Sequence, residues 1–460
     1  MKRLKKILKW TAIVLGVLVA VLLIANAWFV WTTDARFERQ LAAIRAAGDP
    51  LSLADLAHEP PPPETNAATY LRRAEADMAA ITKELAKVLE ATADPMRLPS
   101  AEEQKTIRAA LDAYPKVVPL LQQAAACPDY DPELDYTLPP QSFHDGQSFM
   151  DEAIRVHDHI RPAYRVLRAR AMLLAGTGDR DEAVRTALVI LRLSRHFERN
   201  PVIVGYMLAM VTRSVGIDAA NLALQAGPVS DEVRQALDAE LARCEGTDNY
   251  RRAITSERAF GMDCFRTFPA RGFWLLSRGV WNREESAYLD TLDAFVAVTQ
   301  DPRPYRQVLQ SIEEAPTGGP FGTLATPALQ HLHEAVTRSR ALARSLRVLN
   351  AIQARPTAPG DALPKLAELG LPPEATVDPY TGEALRVKRL PQGWLVYSVG
   401  KNFTDEGGKL GDVSDVGVGP PHVGSLAHPR QNKVTTRAGT SRLISIAPDP
   451  APSPPSTPGS

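Results

Sequence analysis

An apolar, uncharged run near the start of the chain is its clearest hydrophobic pattern, and it extends from Trp10 to Thr33. As a helix, this run is long enough to cross the hydrocarbon core of a bilayer, which is about 30 Å thick. Trp10 lies at one end of the run and Trp28 and Trp31 at the other, where amphipathic indole rings prefer the membrane interface. The pattern predicts a single transmembrane helix over residues 10–33.

Basic residues before this run indicate its orientation. Residues 1–9 contain four lysines and one arginine, and segments of this kind stay on the cytoplasmic side. We therefore expect a protein of the inner, cytoplasmic membrane with most of the chain on the periplasmic (extracytoplasmic) side. A cleaved signal is the alternative, because Ala25 and Ala27 form a small-x-small pattern. The run exceeds the about 7–15 residues of a signal core, and bulky Trp28 and Phe29 follow at once, which favours the anchor.

The segment after the apolar run is predicted to connect the membrane to a helical domain. A juxtamembrane helix is expected over Asp34–Ala47, and Pro60–Pro63 make a stiff linker, so residues 34–65 form the connection. Ser100, with Glu103 three residues later, has the pattern of a capping box at a helix start. The helix that begins at Ser100 is one of several that are predicted after the linker.

Two long helical segments are predicted next, from Gln147 to Ala175 and from Arg180 to Phe197, with Gly176–Asp179 as the turn between them. The pair resembles a tetratricopeptide-type helical hairpin, in which small residues let two antiparallel helices approach each other. The sequence contains no second copy at a spacing of about 34 residues, so an open solenoid is not supported. Residues 66–340 are predicted to form a helical bundle that contains this hairpin.

The pattern changes to short strands and turns after a last helix, which is predicted over Thr326–Gln353. Asp378-Pro379 starts a turn. Apolar and polar residues then alternate over Leu385–Lys388 and Trp394–Val399, with a short proline-containing turn between the two segments. Residues 341–419 are predicted to form a small α+β module.

The composition agrees with a mainly α-helical protein. Apolar residues make up 45% of the chain. Aromatic residues are only 6%, and alanine, leucine and arginine dominate the middle of the chain, which favours helix over sheet. Lysine plus arginine balances aspartate plus glutamate at 53 each, so we expect no nucleic-acid partner. The aromatic-rich stretch Phe260–Trp281 is interpreted as core, with a membrane-facing or partner-binding face as the alternative. Residues 420–460 are proline-rich and are predicted to be a disordered tail.

The chain has three cysteines, an odd number for a compartment that permits disulfides. Cys244 and Cys264 are close enough in sequence to pair, which would leave Cys127 free. Three buried thiols that pack as small apolar groups are the equal alternative. The spacing of the cysteines does not distinguish the two arrangements, and it is not that of a zinc site.

Histidines and acids cluster between His144 and His159. His157 and His159 lie two residues apart on a predicted helix, so their side chains point about 200° apart and do not share a metal ion. His144 and Asp145 lie in a predicted loop, where this argument does not apply. An envelope hydrolase that uses these two residues and neighbouring acids is therefore one alternative function, although the chain has no nucleophile-elbow, phosphate-loop or zinc-protease motif.

The segment from Asp378 to Val418 reads DPYTGEALRVKRLPQGWLVYSVGKNFTDEGGKLGDVSDVGV. Its order of motifs is an Asp-Pro turn, a hairpin that ends in Tyr-Ser-x-Gly, and an acidic, glycine-rich loop. This order resembles the C-terminal part of the major pseudopilins of type II secretion systems, over about Ala341–Val418. The resemblance implies a pseudopilin-like C-terminal module.

In that family the acidic loop binds calcium, whose shell of about six to eight oxygens is readily supplied by turns. The resemblance implies that the calcium ligands are the side chains of Asp405, Asp412 and Asp415, with Asn402 and the carbonyl groups of Val399 and Leu410 as weaker ones. Two features depart from the family pattern: Asn402 replaces the usual aspartate, and Asp412 and Asp415 are three residues apart instead of two. An acidic, solvated turn without a metal is the alternative.

Assembly into a pilus is not implied by this resemblance. Pseudopilins display a glutamate near the start of their hydrophobic helix, and residues 10–31 contain none. The whole arrangement resembles uncharacterised membrane-anchored envelope proteins of planctomycete-like bacteria. We expect a non-catalytic envelope protein with a binding or assembly role, an envelope protein as partner and a calcium-stabilised C-terminal module. A further alternative is a scaffold that holds a peptide in the groove of the helical hairpin.

Overall fold

The fold is mainly helical with a small C-terminal sheet, which confirms this part of the sequence prediction. The computed structural model describes residues 2–92, 97–141, 147–267, 274–314, 319–355, 365–411 and 413–420. The helices are α1 (Lys2–Ala46), α2 (Ala67–Glu84), α3 (Ala86–Ala91), α4 (Ala101–Ala113), α5 (Val117–Ala126), α6 (Phe149–Arg155), α7 (His157–Thr177), α8 (Arg180–Phe197), α9 (Ile203–Gln225), α10 (Asp231–Arg243), α11 (Asp248–Thr267), α12 (Trp274–Thr299), α13 (Tyr305–Glu313) and α14 (Gly319–Gln353). The strands are β1 (Arg386–Leu390), β2 (Gly393–Ser398) and β3 (Val416–Val418). Apart from Pro420, the predicted disordered tail lies outside the described residues.

The N-terminal helix α1 is continuous from Lys2 to Ala46, so the predicted transmembrane and juxtamembrane helices are one helix. Neither proline nor glycine occurs between Val17 and Ala46, so the backbone has no reason to break where the polarity changes. The apolar part is exposed, with Ile24 70% and Trp31 68% accessible. A single helix therefore joins an exposed apolar run to a polar continuation.

The polar continuation of α1 packs on α12. Asp34 accepts hydrogen bonds from Arg278, Nε to Oδ1 at 3.2 Å, and from the side-chain amide of Asn282. Further along α1, Leu41 and Ile44 are buried in the hydrophobic core. These contacts fix the end of α1 on the helical body.

The segment from Gln147 to Ala175 is predicted as one helix but forms two, α6 and α7, which are divided at Val156. The predicted hairpin is formed by α7 and α8. Gly178 ends α7 in the left-handed conformation with φ of 89°, which glycine adopts without steric cost. α8 packs against α7 and α9, and α5 and α10 also contact it. Leu191 of α8 lies so close to Gly216 of α9 that a Cβ on Gly216 would be 2.9 Å from the Leu191 Cδ2. The hairpin is therefore the centre of the helical body.

The start of α4 has the predicted capping box. The Ser100 hydroxyl accepts a hydrogen bond from the Glu103 N–H at 3.3 Å, and the Glu103 carboxylate accepts one from the Ser100 N–H at 2.7 Å. Arg97 adds an ion pair to the Glu103 carboxylate at 3.1 Å. The Ser100 N–H and Arg97 hold the pKa of Glu103 below its ordinary value despite partial burial. This helix start is confirmed as the sequence predicts it.

The sheet has the order β1-β2-β3, and both pairs of neighbours are antiparallel. Leu390 lies opposite Gly393, so Pro391 and Gln392 form the two-residue turn of the predicted hairpin. β3 pairs with the end of β2 and is not predicted by the sequence pattern, because it has only three residues.

β2 is buried on both faces, since every residue from Trp394 to Ser398 is at most 6% exposed. Its outer neighbours are α14 and the loop that follows the strand. Gln225 of α9 binds both backbone groups of Trp394, accepting from its N–H at 3.2 Å and donating to its carbonyl at 2.7 Å. In the loop, a Cβ on Gly408 would lie 2.3 Å from the Leu395 Cδ2, and Gly408 has φ of 89°, so this position favours glycine. The central strand is therefore enclosed by both parts of the fold.

α14 connects the helical body to the sheet. It crosses residue 341, where the sequence pattern places the start of the C-terminal module, and the division into domains stays a prediction. Arg338 donates to the carbonyl of Gly411 at 3.1 Å, and Arg344 donates to the carbonyl of Val377 at 2.9 Å. The C-terminal loops are thus held directly by side chains of a core helix.

Candidate functional site

The candidate site is the loop between β2 and β3. The Asp-Pro turn, which begins at Asp378, holds the start of this loop in place. Asp378 is fully buried and accepts three hydrogen bonds: from Tyr380 N–H at 2.8 Å, from the Ser398 hydroxyl at 2.7 Å and from Val399 N–H at 3.2 Å. Two of these donors lie at the end of β2. One carboxylate therefore fixes the turn before the hairpin to the start of the candidate loop.

Short side-chain turns shape the loop itself. The Asn402 side-chain oxygen accepts from Thr404 N–H at 3.0 Å, and Asp405 Oδ1 accepts from Gly407 N–H at 2.8 Å. Gly407 and Gly408 have φ of 79° and 89°, in the left-handed region that glycine adopts without strain. Two of the predicted calcium ligands thus stabilise the backbone of the loop.

Asp405 faces cationic and hydroxyl groups of the hairpin. Its carboxylate accepts from Arg386 Nε at 3.0 Å and from the Tyr397 hydroxyl at 3.0 Å. Burial raises the pKa of Asp405, but hydrogen bonds from Gly407 and Tyr397 and the charge of Arg386 outweigh it, so the pKa is lowered. The charge of this carboxylate is largely compensated by the protein.

Asp415 lies in a different environment, because it is fully buried and only partly hydrogen-bonded. Its Oδ2 accepts from Gly408 N–H at 2.7 Å, whereas Oδ1 has no hydrogen-bond partner among the described residues. Burial raises the pKa of Asp415. The backbone N–H groups of Gly408 and Glu406 lower it, but the nearby carboxylates of Glu406 and Asp405 add to the effect of burial, so the pKa is raised. A buried carboxylate oxygen with this surplus of negative charge is suited to a cation.

Asn402 is placed less favourably for a metal. The amide nitrogen of Asn402 donates to the Glu406 carboxylate and to the carbonyl of Val413 at 3.1 Å. Asp412 lies outside the described residues. Within the described parts of the chain, no group of three or more His, Cys, Asp or Glu side chains is arranged to hold a metal ion. Calcium binding through Asp405, Asp412, Asp415 and Asn402 therefore stays a prediction.

Glu406 belongs to this loop and is absent from the ligands that the resemblance implies. It accepts the Asn402 amide, and its charge raises the pKa of Asp415. The sequence signal was the adjacent pair Asp405-Glu406. Glu406 comes near Asp415 only when the loop folds, because Asp415 lies ten residues after Asp405 in the sequence.

The alternative catalytic pair, His144 and Asp145, lies outside the described residues. The acids next to it have structural contacts: Asp151 accepts from the Ser148 hydroxyl at 2.6 Å, and Glu152 accepts from the Asp135 N–H at 3.0 Å. These contacts stabilise a cap and a loop. No observation in the described part of this region favours the hydrolase hypothesis.

His159 contacts a neighbouring helix rather than a shared site. Its Nδ1 lies 3.2 Å from the Glu75 carboxylate of α2. His333 is buried between aromatic rings: its Nδ1 is hydrogen-bonded to the Tyr250 hydroxyl at 3.1 Å, and the Tyr305 ring stacks on it with centroids 5.3 Å apart. Burial lowers the pKa of His333 to about 4, and the charge of Arg340 lowers it further. The contacts of both histidines are therefore those of structural residues in helix packing.

Cys127, Cys244 and Cys264 are free thiols, so the pairing of Cys244 with Cys264 is not formed. Cys244 is buried, and the other two are partly exposed. Burial raises the pKa of Cys264 to about 12, and the charges of Glu257 and Asp263 add to this effect. A thiol with a raised pKa is a poor nucleophile at neutral pH.

A small polar cleft of about 180 Å³ lies where the end of α1 meets α11. Asp49 in this cleft accepts from Arg258 at 2.8 Å, and Asp55 accepts from the Leu51 N–H at 2.8 Å. The acids are therefore already hydrogen-bonded. The volume is below the about 300–1,000 Å³ of common ligand pockets, so the cleft does not indicate a substrate site.

The groove of the α7–α8 hairpin is also covered. α9 packs on both helices, and α2 and α5 pack on α7 and α8. Residues along most of α8 are buried, including Ala187, Ile190 and Leu191. The described structure gives no observation in favour of peptide binding in this groove.

Two helices of the described structure are long and apolar enough to cross a membrane. One is α9, most of which is buried in the helical body, as in the core helix of a soluble domain. The other is α1 from Lys9, whose apolar window is not buried at all. An exposed apolar helix near the N-terminus is typical of a signal sequence or a membrane anchor.

No family model, curated protein or solved structure matches this chain. Its function must therefore be argued from its own residues and their geometry.

Proposed function

We propose that the protein is a single-pass, membrane-anchored component of the cell envelope with a non-catalytic binding or assembly role. One observation carries the proposal: the exposed apolar run of α1 continues without a break into a segment that is packed on the helical body. A cleaved signal needs no such packing, because it is removed from the mature protein. An anchor that holds a domain at the membrane needs such packing to fix the position of the domain.

The proposed topology places residues 1–9 in the cytoplasm, residues 10–33 in the inner membrane and the remainder on the periplasmic side. The basic N-terminal residues support this orientation. Because α1 is one helix through Ala46, the helical body is held at a fixed height above the bilayer. Such a body is suited to assembly with another envelope protein at a defined distance from the membrane.

The topology is tested by fusing a reporter that is active only in the periplasm after Pro420 and, separately, after Lys9. We expect activity only for the fusion after Pro420, and we expect the full chain to remain in the membrane pellet after carbonate extraction. Release of the chain into the soluble fraction would contradict anchoring, and activity of the fusion after Lys9 would contradict the orientation.

We further propose that calcium stabilises the C-terminal loop, with Asp415 as the central ligand and Asp405, Asp412 and Asn402 as the other candidates. The unpartnered, buried Oδ1 of Asp415 supports this proposal. Calcium titration of the full chain, followed by thermal unfolding, tests it. We expect millimolar calcium to raise the unfolding temperature while magnesium does not, because the flexible loop suits a large cation. An unchanged unfolding temperature would remove calcium from the proposal.

A further inference from the structure

The start of α12 lies beside the apolar run of α1. A Cβ built on Gly279 would be 2.6 Å from the Phe29 ring and 3.4 Å from the Val30 Cα. Further along both helices, Arg36 pairs with Asp290 at 2.5 Å. Residue numbers rise together in the two helices, so α12 runs parallel to α1.

This contact fixes the level of α12 along the apolar run. Gly279 is level with Phe29 and Val30, which lie just before the end of the run at Thr33. α12 begins at Trp274, five residues earlier. At a rise of about 1.5 Å per residue, its first residue lies about 7 Å further towards the centre of the run. The first turn of α12 is therefore level with the outer end of the proposed membrane span.

The sequence at this end of α12 is mainly apolar and aromatic, with Ser277 and Arg278 as the polar exceptions. The helix begins with the sequence Trp274-Leu275-Leu276, and Val280 in the next turn is 51% exposed. Behind it, Trp281 lies 6.4 Å from the ring of Phe265 and 6.4 Å from the ring of Phe321, measured between centroids. Among the described side chains, Val280 is therefore the exposed apolar surface at this end of α12, and the aromatic cluster lies behind it.

Charge and continuity indicate what covers this surface. Trp28 and Trp31 of α1 are 66% and 68% exposed at a similar level, so the surface continues the lipid-facing side of the proposed anchor. Arg283 is exposed one turn after Val280. A cation beside apolar and indole side chains is the pattern of a helix that lies at the boundary between headgroups and acyl chains.

We propose that the first two turns of α12 form a second membrane contact, seated at the headgroup–acyl boundary of the same leaflet that α1 leaves. This inference rests on the proposed anchoring of α1. This surface contacts the lipid bilayer and not a protein partner, because α1 brings it to the bilayer whichever protein partner is present. Two contacts prevent the body from rotating about α1 and so fix which face points away from the membrane.

Photocrosslinking in vesicles tests the second contact. The full chain is reconstituted into vesicles of three parts phosphatidylcholine and one part phosphatidylglycerol, with benzoylphenylalanine in place of Val280, Trp28 or Val413. Val413 is the matched control, since this valine is 69% exposed and lies in the C-terminal loop. We expect lipid adducts by mass spectrometry at positions 280 and 28, several-fold above those at position 413.

The outcomes separate the two proposals. Adducts at position 28 with position 280 no higher than position 413 would overturn the second contact and leave the anchor intact. Loss of adducts at position 28 would overturn both. Thermal unfolding of each variant checks its fold.

A smaller probe repeats the comparison if the large side chain disturbs folding. Val280→Cys and Val413→Cys, in a chain with Cys127→Ser and Cys264→Ser, each carry a nitroxide. We expect dissolved oxygen to relax the spin at position 280 more than a water-soluble nickel chelate does, and the opposite order at position 413. The same order at both positions would overturn the proposal.

Discussion

Two fully buried aspartates of the C-terminal segment have opposite environments at the scale of single residues. Asp378 accepts three hydrogen bonds, one of which comes from Ser398, whereas Asp415 has one unpartnered oxygen and a raised pKa. The sequence alone does not distinguish them, since both are aspartates in turn-rich segments. Burial and the direction of nearby N–H groups make Asp378 a structural centre and Asp415 the candidate cation ligand.

The Asp415→Asn substitution tests that assignment. Without calcium at neutral pH, we expect the variant to be as stable as the unmodified chain or more stable by up to about 1 kcal/mol, because a poorly compensated buried charge is removed. With millimolar calcium, we expect the rise in unfolding temperature to be lost. Glu374→Gln, at an exposed position, is the control and should keep the calcium effect.

Falling pH should weaken the calcium effect in the unmodified chain, because the cation needs an ionised carboxylate. Without calcium, the raised pKa of Asp415 means that protonation favours the folded state as the pH falls through that value. Calcium stabilisation of Asp415→Asn equal to that of the unmodified chain would show that Asp415 is not a ligand.

Two buried histidines predict a loss of stability in mild acid. The pKa values of His196 and His333 are lowered from 6.5 to about 4, chiefly by burial. The unfolded chain therefore binds more protons below pH 6.5, and stability is lost as the pH falls from about 6.5 to about 4, by up to about 3 kcal/mol for each histidine. Urea unfolding at a series of pH values measures this slope.

The matched variants for this slope are His333→Gln and His331→Gln. We expect His333→Gln to lose less stability than the unmodified chain as the pH falls from about 6.5 to about 4, since one of the two histidines with a lowered pKa is removed. His331 is exposed, so His331→Gln should leave the slope unchanged. An equal slope in His333→Gln and the unmodified chain would contradict the assignment.

At the scale of elements, local signals predict what local interactions determine. The capping box at Ser100, the turn at Gly178 and the β1–β2 hairpin depend on residues a few positions apart, and the structure confirms them. The short strand β3 depends on pairing with β2, which begins more than twenty residues earlier, so its own three residues carry no clear signal. The continuity of α1 is missed for a different reason, because a change of polarity is not a break in the backbone.

The contact between α1 and α12 depends on glycine. Gly279→Leu should force the two helices apart, because even a Cβ would lie 2.6 Å from the Phe29 ring. We expect a loss of about 1–3 kcal/mol, as in overpacked cores, measured by unfolding of the full chain in lipid nanodiscs. Gly16→Leu is the matched control: a Cβ on Gly16 meets nothing within 4 Å, so this variant should be tolerated. Equal stability of the two variants would contradict close packing of α12 on α1.

The candidate site shows the limit of sequence reasoning most clearly. The resemblance of motifs pointed to the loop and to Asp405 and Asp415, but not to the state of each carboxylate. Arg386 and Tyr397, which compensate Asp405, lie on the hairpin and reach it only after the strands pair. Such differences between acids of one loop arise from tertiary packing.

At the scale of the whole molecule, the helical body and the sheet behave as one structure. The described residues belong to one compact unit. Gln225 donates a hydrogen bond to the carbonyl of Trp394 in β2, and Arg338 donates one to the carbonyl of Gly411 in the loop that follows. We expect a single unfolding transition that is the same by circular dichroism and by fluorescence of Trp394 in β2, studied with the other tryptophans changed to phenylalanine. Two separate transitions would show that the C-terminal module is independent.

The shared architecture also connects the membrane end to the C-terminal loop. α1 packs on α12, α12 packs on α14, and α14 carries the sheet and the candidate calcium loop. Helix α1, the body and the loop therefore have fixed relative positions, which suits the proposed assembly role. All of this depends on α1 remaining part of the mature protein.

The intact mass of the protein purified from the membrane fraction tests this dependence most directly. We predict a mass that includes residues 1–27, apart from removal of the initiator methionine, because α1 packs on α12 and is proposed to be a membrane anchor. A mass that lacks residues 1–27 would show cleavage after Ala27 and would contradict the anchored structure.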